Sequence, residues 1–419
     1  MSRQVVREIP VASTGLKRGE VLVPRQIHDP VNGPLSCPAA PLVAGSLVAK
    51  GRPNRLATLP RAEWRGDEDA RLFLVTCPRE DGGTAAIAAA APSGDALSAS
   101  AARGAVEEWA AVSGSRTLLI ASSPWCSGAL HAASAARQAA SDGRGNGQQV
   151  YVLGPALMPA ETAAELADLG AIVTRSLDGV GPGDVVVFPA HGVTAQARAE
   201  AKGRGATIVD ATCPIVAAAQ TAAARTADRG HQLVLVGQPD HASTEPIISE
   251  ATGRVTIVET PANTAAVAAS DSRPISYLVQ PGLTLEAGAP IVSALRSRYP
   301  AARSAVPAEV CYAPSDRAGT IYSVAVGADL MLVVGDPKSA DTRQMCGYAR
   351  NSGTRVQVVG DVSDIKPAML ASVQTIGLAE STSAGAGLAA QVLDALSGLG
   401  RLAVARRRLS TEKTADILG

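Results

Sequence analysis

Three cysteines carry the residue type and spacing that could do chemistry. Cys126 lies in Thr117-Leu-Leu-Ile-Ala-Ser-Ser-Pro-Trp-Cys126, Cys213 in Ala206-Thr-Ile-Val-Asp-Ala-Thr-Cys213-Pro, and Cys311 in Glu309-Val-Cys311-Tyr-Ala-Pro. Each stands where an apolar run, read as a strand, gives way to a loop. Roughly ninety residues separate each from the next, so no Cys-x-x-Cys pair of zinc type is present. Three similar α/β units, each presenting one thiolate to a shared centre, would hold an iron–sulfur cluster by three of its four irons and leave the fourth open to a ligand. The plainer reading of a lone Cys at a strand end is a small buried residue.

Composition limits the alternatives. The chain has 419 residues, enough for two or more cores. Lys+Arg and Asp+Glu both number 38, which gives no electrostatic reason to expect nucleic acid or an acidic membrane as partner. No apolar run is long enough for a transmembrane helix, and the first residues lack the apolar stretch of a signal peptide. Six cysteines without paired spacing argue against a disulfide scaffold and for a reducing cytoplasm.

The elements that must position the cysteines follow from periodicity. Residues 1–68 are rich in Pro, Gly and Arg and read as an N-terminal extension of unassigned role, in which His28 and Cys37 are incidental. Residues 69–203 read as a first α/β unit carrying Cys126, to whose sheet a strand at 71–77 and a helix at 97–113 are added, with a separate small domain as the alternative. Residues 204–300 form a second unit carrying Cys213, residues 301–400 a third carrying Cys311, and 401–419 a tail. Apolar strands such as Asp184-Val-Val-Val-Phe188, set between helices, imply parallel sheets, and ligands bind at the carboxyl ends of such strands.

Five strings follow one another in a telling order: Pro189-Ala-His191-Gly-Val, Asp210-Ala-Thr-Cys213-Pro, Glu309-Val-Cys311-Tyr-Ala, Val333-Val-Gly335-Asp-Pro-Lys-Ser339, and Gly377-Leu-Ala-Glu-Ser-Thr-Ser383-Ala-Gly385. From about residue 117 onward the chain resembles the LytB/IspH family of hydroxymethylbutenyl diphosphate reductases. The resemblance implies a fold of three similar α/β units with mostly parallel sheets, arranged as a trefoil around a central [4Fe–4S] cluster. It implies Cys126, Cys213 and Cys311 as the ligands, with Trp125 shielding them. It also implies a small-molecule substrate whose hydroxyl binds the open iron, and ferredoxin or flavodoxin as electron donor. His191, His241, Ser339 and Ser383 match residues that bind the diphosphate in the family, and Gly192 would let the backbone approach that ligand.

Several positions depart from the family pattern. Met158-Pro159 stand where the family has His-Asn, and His241-Ala-Ser243 where it has His-Pro-Glu, the Glu relaying protons. Val279-Gln280-Pro281-Gly282 replace Thr-Gln-Thr-Thr, and Ser339-Ala340-Asp341 replace Ser-Ser-Asn. A carboxylate at Asp341 would repel a diphosphate in a low-dielectric pocket. The expectation is therefore a reductive dehydroxylase acting on a substrate other than hydroxymethylbutenyl diphosphate. Glu245, Asp341 and Glu380, each in a loop expected at the site, are the candidate proton sources, with a solvated loop charge as the alternative for each. Cys346 and Cys77 read as buried thiols. Two further readings stand beside the reductase: a non-catalytic cluster protein that senses redox state or scaffolds a partner, and a redox-neutral dehydratase using the open iron as Lewis acid.

Overall fold

The computed structural model describes residues 5–11, 15–59, 69–122, 126–154, 160–251, 255–267, 273–305 and 311–410. The chain divides into two compact units, one built from residues 1–122 with 320–407 and the other from 123–319 with 408–419. Among the described residues no helix is long and apolar enough to cross a membrane.

The first unit contains two sheets. One has six strands in the order Arg7–Val11, Ala70–Pro78, Thr84–Pro92, Gly33–Ser36, Val21–Asp29, Asn54–Thr58. Its centre is an antiparallel hairpin that pairs Ala70 with Pro92 and Pro78 with Thr84. The turn is closed by Asp81, whose Oδ1 accepts from the Gly83 N–H at 2.9 Å. Thr84–Pro92 is almost all alanine, a helix former, so nothing in its sequence announces a strand. It is a strand because its neighbours pair it and its small side chains are buried on both faces. Helix Ala96–Ala111 lies on this sheet, and its Trp109, fully buried, donates from Nε1 to Ser46 Oγ at 2.9 Å on helix Ala40–Ala49.

The other sheet is parallel and runs Arg355–Val359, Leu330–Val334, Thr375–Glu380, Arg116–Ala121, Leu402–Arg407. Here the structure corrects two expectations. The strand that leads to Cys126 does not join the sheet of the first cysteine unit, and residues 402–407 are a paired strand and not a tail. The physical reason is that Arg116–Ala121 is an interior strand, its backbone paired with Thr375–Glu380 on one side and Leu402–Arg407 on the other, while Leu118 and Leu119 are buried in separate cores. The N-terminal segment is likewise no appendage. Leu22, Leu72 and Trp109 share one buried cluster with Leu332, Ile376 and Leu396.

The second unit holds two four-stranded parallel sheets. Their orders are Thr207–Asp210, Val185–Phe188, Val150–Leu153, Ile172–Thr174 and Val255–Val258, Gln232–Val236, Ile275–Val279, Arg303–Ser304. Val185–Phe188 is buried throughout, as its unbroken apolar run requires. The fold is thus α/β with mostly parallel sheets, and each of the three cysteines follows the carboxyl end of a strand from a different parallel sheet.

Candidate metal centre and ligand-binding site

Every one of the three cysteines opens a helix. Cys126 caps Ser127–Asn146, and its Sγ accepts from the Ala129 N–H at 3.4 Å. Cys213 caps Pro214–Asp228, where Pro214 fits the first turn because its missing N–H would have no helical partner. Cys311 precedes helix Ala313–Val326. Unpaired amides and the positive end of the helix dipole favour a thiolate at such positions.

The Cys213 loop is braced from below. Thr212 donates to Asp210 Oδ1 through its backbone N–H (3.1 Å) and its hydroxyl (2.6 Å), and Arg198 pairs with Asp210 Oδ2 at 2.5 Å. Burial pushes the Asp210 carboxyl up, but these donors more than offset it and hold it below its usual range. The Cys213 N–H itself donates to the Ala190 carbonyl at 2.9 Å, which ties the loop to the residue before His191.

The three sulfurs converge. A Cβ built on Gly128, two residues past Cys126, would lie 2.7 Å from Cys213 Sγ. Burial pushes the Cys311 thiol up, and the charges of Cys126 and Cys213 push it further, against the pull of the Ala313 and Gly282 amides. Yet among the described residues no trio of His, Cys, Asp or Glu is spaced to hold a single metal ion. Three thiols of which two act electrostatically on the third suit a multi-iron cluster held by one thiolate from each of three segments. The donor set, three half-buried thiols with amide partners, therefore fits an iron–sulfur group.

The remaining cysteines do not compete. Cys37, Cys77 and Cys346 are buried, and burial pushes the first two up to about 12 and about 11. They pack as small apolar residues. Trp125, Met158 and Pro159 lie outside the described residues. Gly128 yields a direct prediction: Gly128→Ala drives its methyl into Cys213, whose short side chain has little room to yield. Iron bound after anaerobic reconstitution should fall several-fold while circular dichroism stays native.

Beside the cysteines in the same unit, His191 and His241 meet edge to face with ring centroids 5.4 Å apart. Burial and the charge of His241 hold His191 down at about 4, and burial also lowers His241. Both rings are thus neutral near pH 7. The Ser243 N–H donates to His241 Nδ1 at 3.2 Å, which leaves the ring proton on Nε2, the atom free to donate to a ligand.

The position that carries the family's acid is occupied differently here. Ser243 is fully buried, and its hydroxyl donates to the Pro281 carbonyl at 3.1 Å while sitting 2.9 Å from His241 Nδ1. It locks the imidazole and has no route to solvent as a relay. Gln280 fixes the same loop: its Oε1 accepts from the Gln238 N–H at 2.9 Å, and its Nε2 donates to the Gln238 carbonyl at 3.1 Å and to Thr244 Oγ1. Sequence reading missed this clamp, although Gln280 is the residue shared with the family's Thr-Gln-Thr-Thr. Gly192 has a packing role of its own. Its φ of +74° demands glycine, but the space a Cβ would take is filled by the Gln220 amide at 3.1 Å, which is bonded to the Val193 and Pro246 carbonyls. Gly192 thus makes room for Gln220.

Ser339, Ser383 and Asp341 gather in the first unit. Ser381, Ser383 and Thr342 form a triangle of hydroxyls with every side 3.0 Å. Asp341 Oδ2 accepts from Ser381 Oγ (3.0 Å), the Thr382 N–H (2.8 Å) and Thr382 Oγ1 (2.9 Å). Ser383 Oγ also accepts from the Asp336 N–H at 3.1 Å. Gly335 is required beneath this triangle, since a Cβ there would lie 2.6 Å from Thr342 Oγ1. Ser339 caps helix Ala340–Arg350 without a side-chain cap bond. The Asp341 carboxylate thus acts as an acceptor that staples two loops, and Thr342 and Ser381 join a cluster in which sequence reading placed only Ser383. Glu245 is exposed on the short helix Thr244–Ile248, and Glu380 is exposed at the end of its strand.

The family described as LytB protein matches residues 117–397. A Mycobacterium bovis protein named 4-hydroxy-3-methylbut-2-enyl diphosphate reductase 2 is 36% identical over 305 residues, 72% of this chain and 92% of that protein. A Bordetella pertussis protein named 4-hydroxy-3-methylbut-2-enyl diphosphate reductase is 30% identical over 259 residues, covering 62% of this chain and 80% of that one. Among solved structures, the E-1-hydroxy-2-methyl-but-2-enyl-4-diphosphate reductase of Plasmodium falciparum aligns with a TM-score of 0.60 at 20% identity, over 73% of this chain and 98% of that one. A structure of (E)-4-hydroxy-3-methyl-but-2-enyl diphosphate reductase aligns at 0.51 over 67% of this chain and 99% of that one. At 20% identity these likenesses establish a shared α/β fold. With the sequence match running from the strand before Cys126 through the last helix, the chain belongs to the LytB protein family.

Proposed function

We propose that the chain is an iron–sulfur reductase that removes a hydroxyl from a small organic alcohol, with Cys126, Cys213 and Cys311 as the ligands of a [4Fe–4S] cluster. The overall change is R–OH plus two electrons and two protons giving R–H and water, with electrons delivered singly by ferredoxin or flavodoxin. When bound, the cluster supplies an open iron to hold the substrate oxygen and a path for the electrons. The observation that carries this reading is that Cys213 Sγ lies against Gly128, two residues past Cys126, while the charges of both cysteines act on Cys311.

The remaining roles fall to this chain's own side chains. His241 offers its Nε2 proton, with His191 beside it, to the anionic or polar end of the substrate, and Ser339 and Ser383 keep the substrate-binding role that the family resemblance gives them. Of the three candidate carboxylates, Glu245 rides the His241 loop in the unit that holds the cysteines, and we assign it proton delivery. Asp341 is occupied in stapling its loops, and Glu380 ends a strand of the unit that lacks the three ligand cysteines. Glu245→Gln should lower turnover by about 100-fold with unchanged iron content, the lower end of what a general acid contributes. Unchanged turnover removes Glu245 from the mechanism.

The substrate we propose differs from hydroxymethylbutenyl diphosphate. A locked Ser243 replaces the proton-relaying Glu, and Pro281-Gly282 replace two hydroxyls. Assayed on that diphosphate, the reconstituted protein should turn over at least about 100-fold more slowly than a family reductase with the acid in place. The names of the relatives favour the opposite reading, that the substrate is the same, and equal turnover would establish it. Reductant consumed in step with product separates both from a redox-neutral dehydratase or an idle cluster protein.

A further inference from the structure

His241 and the loop at 280–282 close on each other. The Ser243 N–H donates to His241 Nδ1 at 3.2 Å, and the Ser243 hydroxyl donates to the Pro281 carbonyl at 3.1 Å. Gly282, the next residue, has φ +104° and meets the same ring at a different edge. A Cβ built on it would lie 2.5 Å from His241 Nε2, 2.6 Å from Cε1 and 3.6 Å from Cδ2. It would therefore stand on the Nε2–Cε1 edge, closer than a side-chain carbon can come. The ring has no easy retreat, because Ser243 holds it at Nδ1 and is itself held by the residue before Gly282. With the threonine of the family pattern at 282, His241 could not stand here.

Nδ1 accepts from the Ser243 N–H, so the ring proton sits on Nε2. Among the described residues nothing hydrogen-bonds that nitrogen or either ring nitrogen of His191, whose ring meets His241 edge to face. None of these nitrogens is buried without a partner, so each reaches solvent. An acceptor must come within about 2.7–3.2 Å of Nε2 to take its proton, at the edge that a side chain on residue 282 would crowd. A fixed donor of this kind is best matched by a charged acceptor. Resting on the ligand-binding role given to His241 above, we infer that Gly282 is a specificity-determining residue: having no side chain, it keeps the Nε2 edge of His241 clear for an oxyanion of the substrate, a phosphate or a carboxylate. Ser243 is the positioning residue that fixes which nitrogen carries the proton.

The chain has five histidines, few enough for nitrogen-15 histidine labelling to follow His241 and His191 by magnetic resonance in the full-length protein reconstituted anaerobically. The wild type should show His241 with its proton on Nε2. Inorganic phosphate and acetate, titrated separately, should shift that nitrogen, and the tighter of the two tells phosphate from carboxylate. In Gly282→Ala with iron equal to wild type, the preferred anion should bind at least about tenfold more weakly, the loss of one hydrogen bond to a charged group. In a His241→Ala background, followed on the His191 nitrogens, the same substitution should leave affinity within about twofold, since its effect runs through the ring. Affinity unchanged by Gly282→Ala, or lowered equally in both backgrounds, would overturn the inference. Should Gly282→Ala not fold, folding restored in the double variant places the clash at the imidazole as inferred, and a double variant equally unfolded overturns it. A proton on Nδ1, or a His241 nitrogen unmoved by both anions, sinks the ligand-binding role of His241 and this inference with it. A wild type that binds no iron counts against the iron–sulfur reading alone.

Discussion

Cys213→Ala is expected to abolish assembly of the metal centre. Cys213 caps a fifteen-residue helix, its loop is held by Asp210, Thr212 and Arg198, and its sulfur lies against Gly128 two residues from Cys126. Loss of a partner outside the ligand shell typically costs 10- to 100-fold in metal affinity or activity, so loss of a ligand should cost more than about 100-fold in turnover. Iron per chain and the visible absorption of the reconstituted protein should fall together. Cys346→Ala supplies the contrast: that thiol is buried among apolar residues on helix Ala340–Arg350, and its removal should leave iron content unchanged. Equal iron retention in the two variants would place the centre elsewhere.

The second large effect concerns stability. Trp109 is fully buried, and its indole donates to Ser46, itself 6% exposed. Trp109→Ala opens a cavity worth about 3–5 kcal/mol and leaves the Ser46 hydroxyl without that partner, at about 1 kcal/mol more. Set against the 5–15 kcal/mol total of a typical domain, this should unfold the first unit at mild denaturant. Because Trp109 shares a core with Leu332 and Ile376, strand Leu330–Val334 should lose hydrogen-exchange protection along with the N-terminal sheet. Trp109→Phe should recover most of the loss. Protection of Leu330–Val334 unchanged in Trp109→Ala would mean that the N-terminal sheet folds apart from the rest.

Much of this architecture is written in the sequence wherever local signals and burial agree. Val185–Phe188, Gln232–Val236 and Leu330–Val334 are apolar from end to end and lie buried in parallel sheets, and Cys213-Pro214 reads directly as a helix start. Where tertiary context overrides local preference the reading fails. The alanines of Thr84–Pro92 favour helix, and only the hairpin with Ala70–Pro78 makes them a strand. The sheet that receives Arg116–Ala121 depends on partners some 250 residues later in the chain, which no local window contains. At the site, the cysteines and histidines were legible by type, whereas the Ser243 lock, the Gln280 clamp and the reason for Gly192 depend on side chains from other loops. Departures from a family pattern announced that something had changed there. Their physical role emerged only from the hydrogen bonds.

The central claim is that three thiols, and no fourth protein ligand, hold a multi-iron cluster. Mössbauer spectroscopy of the protein reconstituted anaerobically with iron-57, alongside iron and sulfide analysis, tests it most directly. The account predicts roughly four irons per chain, with one iron spectroscopically distinct from the other three and altered by adding an alcohol-bearing ligand. A protein that binds no cluster, or one whose irons are all alike and indifferent to ligand, would contradict it.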